Sequence, residues 1–302
     1  MTAQLSELKP PATITVARPK SLEALRAHVQ MTPAPHYFLA GGTDLLVMHK
    51  DGVIPSSSWV DITAIAELGG IEVRDGRVRL GARVTHEEIA RSPFCRLYAP
   101  ALVDGCAVIG GPQIRWRGTI GGNLANASPA ADTVPALYTL EAEVEIMGRD
   151  GEMRCVGVAD LASGPRRSTL ADGELITAVW FAAQEGVRGG FLRLGQRQSQ
   201  AISKVSVAVT AVPRGEGPDG QGGFKTGFST LRIACGAVAP TVIRAPRAEA
   251  ALLEGGLTAA SVARAVALIR EEVRPIYDLR STQAYRREMA GVLLERVLSR
   301  MI

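Results

Sequence analysis

The sequence predicts an α+β fold: two hairpin-bearing lobes arranged around a ligand, then a smaller section in which a sheet is covered by helices. Three observations lead there. Apolar runs meet a glycine pair and short polar residues twice, at Leu39-Ala40-Gly41-Gly42-Thr43-Asp44 and at Thr119-Ile120-Gly121-Gly122-Asn123. Strand-like runs flank tight turn signals at Asp75-Gly76 and at Gly148-Arg149-Asp150-Gly151, the pattern of β-hairpins. From Pro246 onward, apolar residues recur at helical spacing.

Taken in order, Ile14-Thr15-Val16 reads as a short strand and Ser21 opens a helix whose apolar spacing runs to Val29, ended by Pro33 and Pro35. Tyr37 to Ala40 is a strand that delivers the first glycine loop, and Leu45 to Met48 continue as a helix or short buried turn. Trp59 to Ile62 forms a strand. Ile71 to Val73 and Val78 to Leu80 pair across Asp75-Gly76. Thr85 followed by Glu88 is a capping box, so a helix starts there and stops before Pro93. Ala99 to Ile109 is a buried helix broken by Gly110-Gly111-Pro112, after which Arg115 and Arg117 flank a packed Trp116 and take structural roles. Val134 to Leu140 is a short helix, and Val144 to Met147 pairs with Glu152 to Val156. Gly164 to Arg167 is a turn and Leu175 to Phe181 a strand. The last section has strands at Phe191–Leu194, Val205–Ala211 and Leu231–Cys235, an exposed loop over 213–223, and helices at Pro246–Leu253, Ala259–Glu272 and Thr282–Leu298. In the last helix, Tyr285, Met289, Val292, Leu293 and Val297 should cover a neighbouring sheet. Domain boundaries are expected at 1–57, 58–183 and 184–302.

The glycine loops carry the chemistry. Glycines remove side chains that would hold a bulky ligand off the backbone, and consecutive N–H groups in a turn make an anion-binding nest. Asn123, Asn126, Ser128, Asp132 and Thr133 add directional polar groups within a few residues. Two such loops suggest a phosphate-bearing ligand held between them, although two tight turns beside core strands would explain either loop alone. The Gly-x-Gly-x-x-Gly spacing of a dinucleotide fold is absent.

Composition narrows the classes. The 302 residues are 46% hydrophobic and 21% charged, ordinary for a globular protein. The 34 basic and 30 acidic residues give a net charge of +4 with no long block of either sign, so no general nucleic-acid surface is implied. No secretory signal or transmembrane run is read, and a soluble, cytoplasmic protein is expected. Cys95, Cys106, Cys155 and Cys235 lack Cys-x-x-Cys pairing, which argues for separate buried thiols rather than a cluster or zinc site. His28, His36, His49 and His86 show no metal spacing; His28 and His86 read as surface or capping residues. Asp44 and Asp132 fall inside the glycine motifs, where binding or loop-shaping suits them better than acid–base catalysis.

Read together, the two loops resemble those of the FAD-binding subunits of the molybdenum hydroxylases, the family of xanthine dehydrogenase, carbon monoxide dehydrogenase and the aldehyde or heterocycle hydroxylases. The family's first loop, Ala-Gly-Gly-(Thr/His)-(Asp/Ser)-Leu, stands here as Ala40 to Leu45. Its second, Thr-(Ile/Val)-Gly-Gly-Asn continued by Ala-Ser-Pro and Asp, stands as Thr119 to Asn123, Ala127-Ser128-Pro129 and Asp132, with Gly111 to Arg115 as lead-in. The likeness runs from about residue 12 to residue 295.

This resemblance implies a two-lobed FAD-binding domain of the molybdenum hydroxylase flavoprotein type followed by a smaller α/β domain. It implies that Ala40, Gly41, Gly42, Thr43 and Asp44 surround the FAD diphosphate and ribityl region, completed by Thr119, Gly121, Gly122, Asn123 and Asn126. Asp132 would approach the adenosine sugar, and Ile176 would lie near the adenine or flavin edge. Arg193 stands where several relatives have a lysine close to the flavin, and Ile109 where some have an aromatic against its ring. No catalytic residue and no metal ligand is expected on this chain. The benzoyl-coenzyme A reductase branch is disfavoured, since its cysteine-bearing insertion is missing.

The implied partners are a small subunit with [2Fe–2S] clusters and a large molybdenum–pterin subunit, with NAD, oxygen or a quinone-linked carrier as electron acceptor. A standalone FAD-dependent oxidoreductase and a cofactor-free structural or interaction protein are the alternatives.

Overall fold

The computed structural model describes residues 14–54, 58–197, 199–218 and 224–301. Its first lobe is a three-stranded parallel sheet formed by β1 (Thr15–Ala17), β2 (Tyr37–Leu39) and β3 (Ser58–Asp61), in the order β1-β3-β2. Helix α1 (Leu22–Met31) crosses between the first two strands, capped by the Ser21 hydroxyl, which accepts from the Ala24 N–H. Helix α2 (Leu45–Lys50) follows the first glycine loop. The central strand of this sheet lies past residue 57, where a boundary is expected from sequence. Leu25, Val29, Val60, Ile62, Ile65 and Leu68 form its core, and Met147 and Leu175 enter that core from the second lobe.

The second lobe holds a five-stranded antiparallel sheet and a run of short helices. In chain order these are β4 (Ile71–Arg74), β5 (Arg77–Gly81), α3 (His86–Arg91), α4 (Pro93–Tyr98), α5 (Pro100–Ala107), α6 (Pro112–Arg115), α7 (Ile120–Ala125), α8 (Val134–Thr139), β6 (Glu143–Met147), β7 (Met153–Gly157), β8 (Ala162–Gly164), β9 (Arg167–Ser168) and β10 (Leu175–Ala182). The sheet order is β4-β5-β10-β6-β7, while β8 and β9 form a separate two-stranded ribbon. Asp75 and Gly76 turn the first hairpin with φ of 50° and 71°, the left-handed conformation that such a turn demands of both residues. The capping box is present: Glu88 N–H donates to Thr85 Oγ1 and Thr85 N–H donates to the Glu88 carboxylate.

The third section is an antiparallel sheet of β11 (Arg188–Leu194), β12 (Val205–Pro218), β13 (Phe224–Gly236) and β14 (Ile243–Arg244), backed by α9 (Pro246–Gly255), α10 (Ala259–Glu272) and α11 (Gln283–Ser299). Its core unites Val205, Val207, Val209 and Ile233 of the sheet with Leu252, Ile269, Leu294 and Val297 of the helices. Phe191 and Ala208 instead join the core of the second lobe, which ties the third section to it.

Four expectations are corrected. The loop expected over 213–223 is ladder from Pro213 to Pro218, paired with Phe224 to Phe228, and residues 219–223 lie outside the described residues. The buried face of α11 is Arg286, Ala290, Leu293, Leu294, Val297 and Leu298, so Tyr285 faces outward. Trp116 is half exposed rather than packed, with the Arg91 guanidinium 5.0 Å from its ring centre. Cys155 is exposed, whereas the other three thiols are buried.

Candidate functional site

The two glycine loops meet across a cleft of about 350 Å³ between the first two lobes. Strand β2 delivers Ala40 to Asp44 to one wall, and Thr119 to Asn126 supply the facing wall through α7. The loops are tied together: Asn126 Nδ2 donates to Asp44 Oδ1 at 2.9 Å. A third side comes from Ser168 and from Leu170 to Glu174.

Each loop is built by backbone rules. Gly42 has φ of 75°, a conformation that glycine adopts without cost. A side chain on Gly41 would place Cβ 2.0 Å from the Arg117 carbonyl oxygen, so the first loop lies directly on the lead-in to the second. Three backbone bonds then fix the second loop to the 82–86 segment: Gly121 N–H to the Ala82 carbonyl, Ile120 N–H to that of Val84, and His86 N–H to that of Gly118. Thr119 caps α7, its Oγ1 accepting from the Gly122 N–H at 3.2 Å. Thr133 donates its hydroxyl to Asn123 Oδ1 at 2.6 Å, which orients the amide and leaves Nδ2 to face a ligand.

The electrostatics of the cleft favour backbone donors. Among the described residues lining it there is no Lys or Arg, and each lining carboxylate is already bound. Asp44 is held by Asn126. Burial opposes ionisation of Asp172, but the His36 backbone and ring N–H groups, with Arg149 nearby, hold it below the usual carboxylate range. Glu174 is lowered chiefly by its two hydrogen bonds from Arg154 at 2.8 and 2.7 Å. The Thr32 hydroxyl gives its proton to the His28 carbonyl, so it accepts from His36 Nε2 at 3.0 Å, while Nδ1 donates to Asp172 at 2.8 Å. His36 thus bridges Thr32 and Asp172 and pins the first lobe to the third side of the cleft. The backbone N–H groups of Gly42, Thr43 and Asp44 have no acceptor among the described residues. They are free for an anion.

Nine of the fourteen residues expected at the site line this cleft: Ala40, Gly41, Gly42, Thr43, Asp44, Thr119, Gly122, Asn123 and Asn126. Five do not. Gly121 packs on Ala82, where a Cβ would come within 2.7 Å of the alanine Cβ. Ile176 lies in the core of the five-stranded sheet, opposite Ile146. Ile109 sits beyond the end of α5 and accepts a long bond from Arg115. Asp132 and Arg193 form a buried ion pair at 2.9 Å in the seam between the second lobe and β11. Arg193 also donates to the carbonyls of Ala201 and Val108, and Ser203 donates to Asp132. Burial is the larger influence on Asp132 and lifts its carboxyl to about 6, against the lowering by Arg193 and Ser203.

Sequence reasoning missed four lining residues with chemistry. His36, Asp172 and Glu174 sit in stretches with no motif, and only folding brings them to the cleft. His86 is not on the surface: it is 3% exposed, lines the cleft, and burial pushes its imidazole down to about 4.

Comparison with known proteins agrees with this architecture over nearly the whole chain. Residues 12–181 match the FAD binding domain in molybdopterin dehydrogenase, and residues 191–301 match the CO dehydrogenase flavoprotein C-terminal domain. The chain belongs to the molybdopterin dehydrogenase flavoprotein family. Among its relatives, the carbon monoxide dehydrogenase medium chain of Afipia carboxidovorans is 28% identical over 96% of this chain and 97% of its own. The putative xanthine dehydrogenase FAD-binding subunit of Escherichia coli K12 is 28% identical over 87% and 88%. In structure, the flavoprotein is similar to a chain of the Cu,Mo-CO dehydrogenase, with a TM-score of 0.85, 29% identity and coverage of 97% and 99%. It is also similar to a chain of quinoline 2-oxidoreductase from Pseudomonas putida 86, with a TM-score of 0.85, 25% identity and coverage of 97% and 98%. It is thus an oxidoreductase flavoprotein of the xanthine dehydrogenase and CO dehydrogenase type, with a mixed α/β architecture.

The cleft fits the family's cofactor. A diphosphate needs donors without bulk; the first loop carries three N–H groups without an acceptor among the described residues, and across the cleft Gly122 leaves open space, where a Cβ would meet only Thr119 Oγ1, at 3.0 Å. Among the described residues no group of three His, Cys, Asp or Glu side chains could hold a metal ion, and no helix is long and apolar enough to cross a membrane.

Proposed function

We propose that this chain is the FAD-containing electron-transfer subunit of a multi-subunit molybdenum hydroxylase. It takes electrons from [2Fe–2S] clusters on a small partner subunit and passes them to NAD, oxygen or a quinone-linked carrier. Substrate is hydroxylated on a large subunit that carries the molybdenum–pterin centre. The relatives' descriptions as medium chains and FAD-binding subunits support this division of labour.

FAD, when bound, supplies the redox chemistry, and the protein contributes position and electrostatics. The N–H groups of Gly42, Thr43 and Asp44 hold phosphate oxygens, Gly41 lets the loops close on each other, and Ala40 and Gly122 leave room for the chain of the cofactor. Thr119, Asn123 and Asn126 direct the ribityl hydroxyls. Gly121 and Ile176 pack behind the second wall, and the Asp132–Arg193 pair ties β11 to the second lobe. The observation that carries this reading is the pairing of the two loops through Asn126 and Asp44, with unsatisfied backbone donors on the cleft side.

The test is purification from the native host together with its partners, followed by an absorption spectrum and metal analysis. Flavin with [2Fe–2S] iron and molybdenum is expected. Flavin alone would favour a self-contained flavoenzyme, and no flavin after cofactor supplementation a scaffold; either result overturns the proposal.

A further inference from the structure

His86 lies outside both glycine motifs, yet it forms the floor between them. As the first residue of α3, it is drawn against the second loop by its own N–H, which donates to the Gly118 carbonyl at 3.0 Å. Its ring edge lies flat on Gly118: a Cβ there would stand 3.0 Å from Cδ2 and 3.2 Å from Nε2, so position 118 admits the ring by having no side chain. On the other edge, Nδ1 is 3.9 Å from Cys106 Sγ. His86 is 3% exposed and lines the cleft with Thr119 and Gly122. The ring makes no other hydrogen bond among the described residues, which leaves Nε2 without a partner there.

Two buried groups set the tautomer. Burial keeps the imidazole neutral, and it drives the Cys106 thiol well above its ordinary value, helped by Cys95 and Asp132. Among the described residues the thiol proton has one acceptor within reach, which is Nδ1. With Nδ1 accepting, the imidazole proton resides on Nε2 of a ring that borders the cleft. An oxygen-rich ligand in the cleft would give this N–H an acceptor.

We propose that His86 is a positioning residue of the cofactor site, donating Nε2–H to an oxygen of bound FAD between the two glycine loops. The inference rests on the FAD reading above. In a cleft lined by carboxylates and lacking Lys or Arg, it supplies a donor from the floor where the loops supply theirs from the walls.

The full chain tests this by fluorescence titration with FAD, with folding of each variant checked by circular dichroism. His86→Phe keeps a ring but loses the donor and is expected to weaken FAD binding roughly ten- to hundredfold, as for a lost hydrogen bond to a charged acceptor. His86→Gln, whose amide nitrogen reaches a position similar to Nε2, is expected to retain most of the affinity. Selective ¹⁵N-histidine spectra of the wild type give a readout independent of any variant: Nε2 protonated without ligand, and its N–H proton moved downfield by FAD. Equal affinity of wild type and His86→Phe, loss of affinity in both variants alike, an unprotonated Nε2, or a resonance unmoved by FAD would each overturn the role of His86. A wild-type chain that binds no FAD would instead overturn the parent reading, and this one with it.

Discussion

The two glycine pairs read alike in sequence and are built differently. In the first, Gly41 faces the protein, lying on the Arg117 carbonyl, and Gly42 takes the left-handed conformation that turns the chain toward α2. In the second, Gly121 faces the protein against Ala82, and Gly122 sits in the first turn of α7 with open space before it. The first loop is thus a turn that offers N–H groups, and the second is a helix start that offers room. Their surroundings differ too. Asp44, beside the first, is exposed to the cleft and tethered to Asn126, whereas the second is flanked by His86 and Asp132, both buried. In each pair the first glycine packs against backbone or side chain of a neighbouring segment, and the second lines the cleft.

That division ranks the effects of substitution. Gly41→Ala should act most strongly, because its Cβ would meet backbone that cannot rotate away; a loss of about 3 kcal/mol or more in urea unfolding is expected, together with loss of FAD binding. Gly121→Ala forces apart Ala82 and α7 and should cost about 1–3 kcal/mol in the same assay.

Next in size is a pH effect confined to the second loop. His86, lowered by burial to about 4, stays neutral in the native state where the unfolded chain is protonated, so it makes stability rise with pH between about 4 and its ordinary 6.5. Asp132, raised chiefly by burial to about 6, does the reverse: between 3.8 and about 6 the native state keeps a proton that the unfolded chain has released, and stability falls as pH rises. The two oppose each other in the wild type. His86→Gln removes the first, so the pH dependence of its unfolding free energy should shift downward in slope by up to about 1.4 kcal/mol per pH unit relative to wild type. An unchanged slope would show that His86 is not buried neutral. Asn126→Ala, which unties the two loops at the mouth of the cleft, should cost only about 1 kcal/mol and weaken FAD binding by a few-fold in fluorescence titration.

The elements were legible where local chemistry decides them. The Asp75-Gly76 hairpin and the Thr85–Glu88 capping box follow from residue types that suit one backbone conformation, and the paired glycine motifs mark Ala40–Asp44 and Thr119–Asn126 as two walls of one site. What stayed hidden depends on distance. Thirty-two positions separate His86 from Gly118, and 61 separate Asp132 from Arg193, so neither contact leaves a periodic trace. Arg286 carries no apolar signal, yet it is buried on α11 because its guanidinium bonds the Ala237 carbonyl and Asp278; a hydrophobic pattern therefore placed the face one residue away, on Tyr285. Pro213 and the glycines of 215–217 suggest a loop, but their ladder partners across Phe224 to Phe228 outweigh that local preference.

The most direct test of the cleft as the FAD site is Gly122→Leu, the smallest of these changes for the fold. Stability within about 0.5 kcal/mol of wild type is expected, since a Cβ there meets only the Thr119 hydroxyl and the residue lines the open cleft. Equilibrium titration with FAD, on wild type and variant matched for unfolding free energy, should show one equivalent bound by the first and none by the second. Equal flavin binding by both would contradict the placement of the cofactor between the two loops.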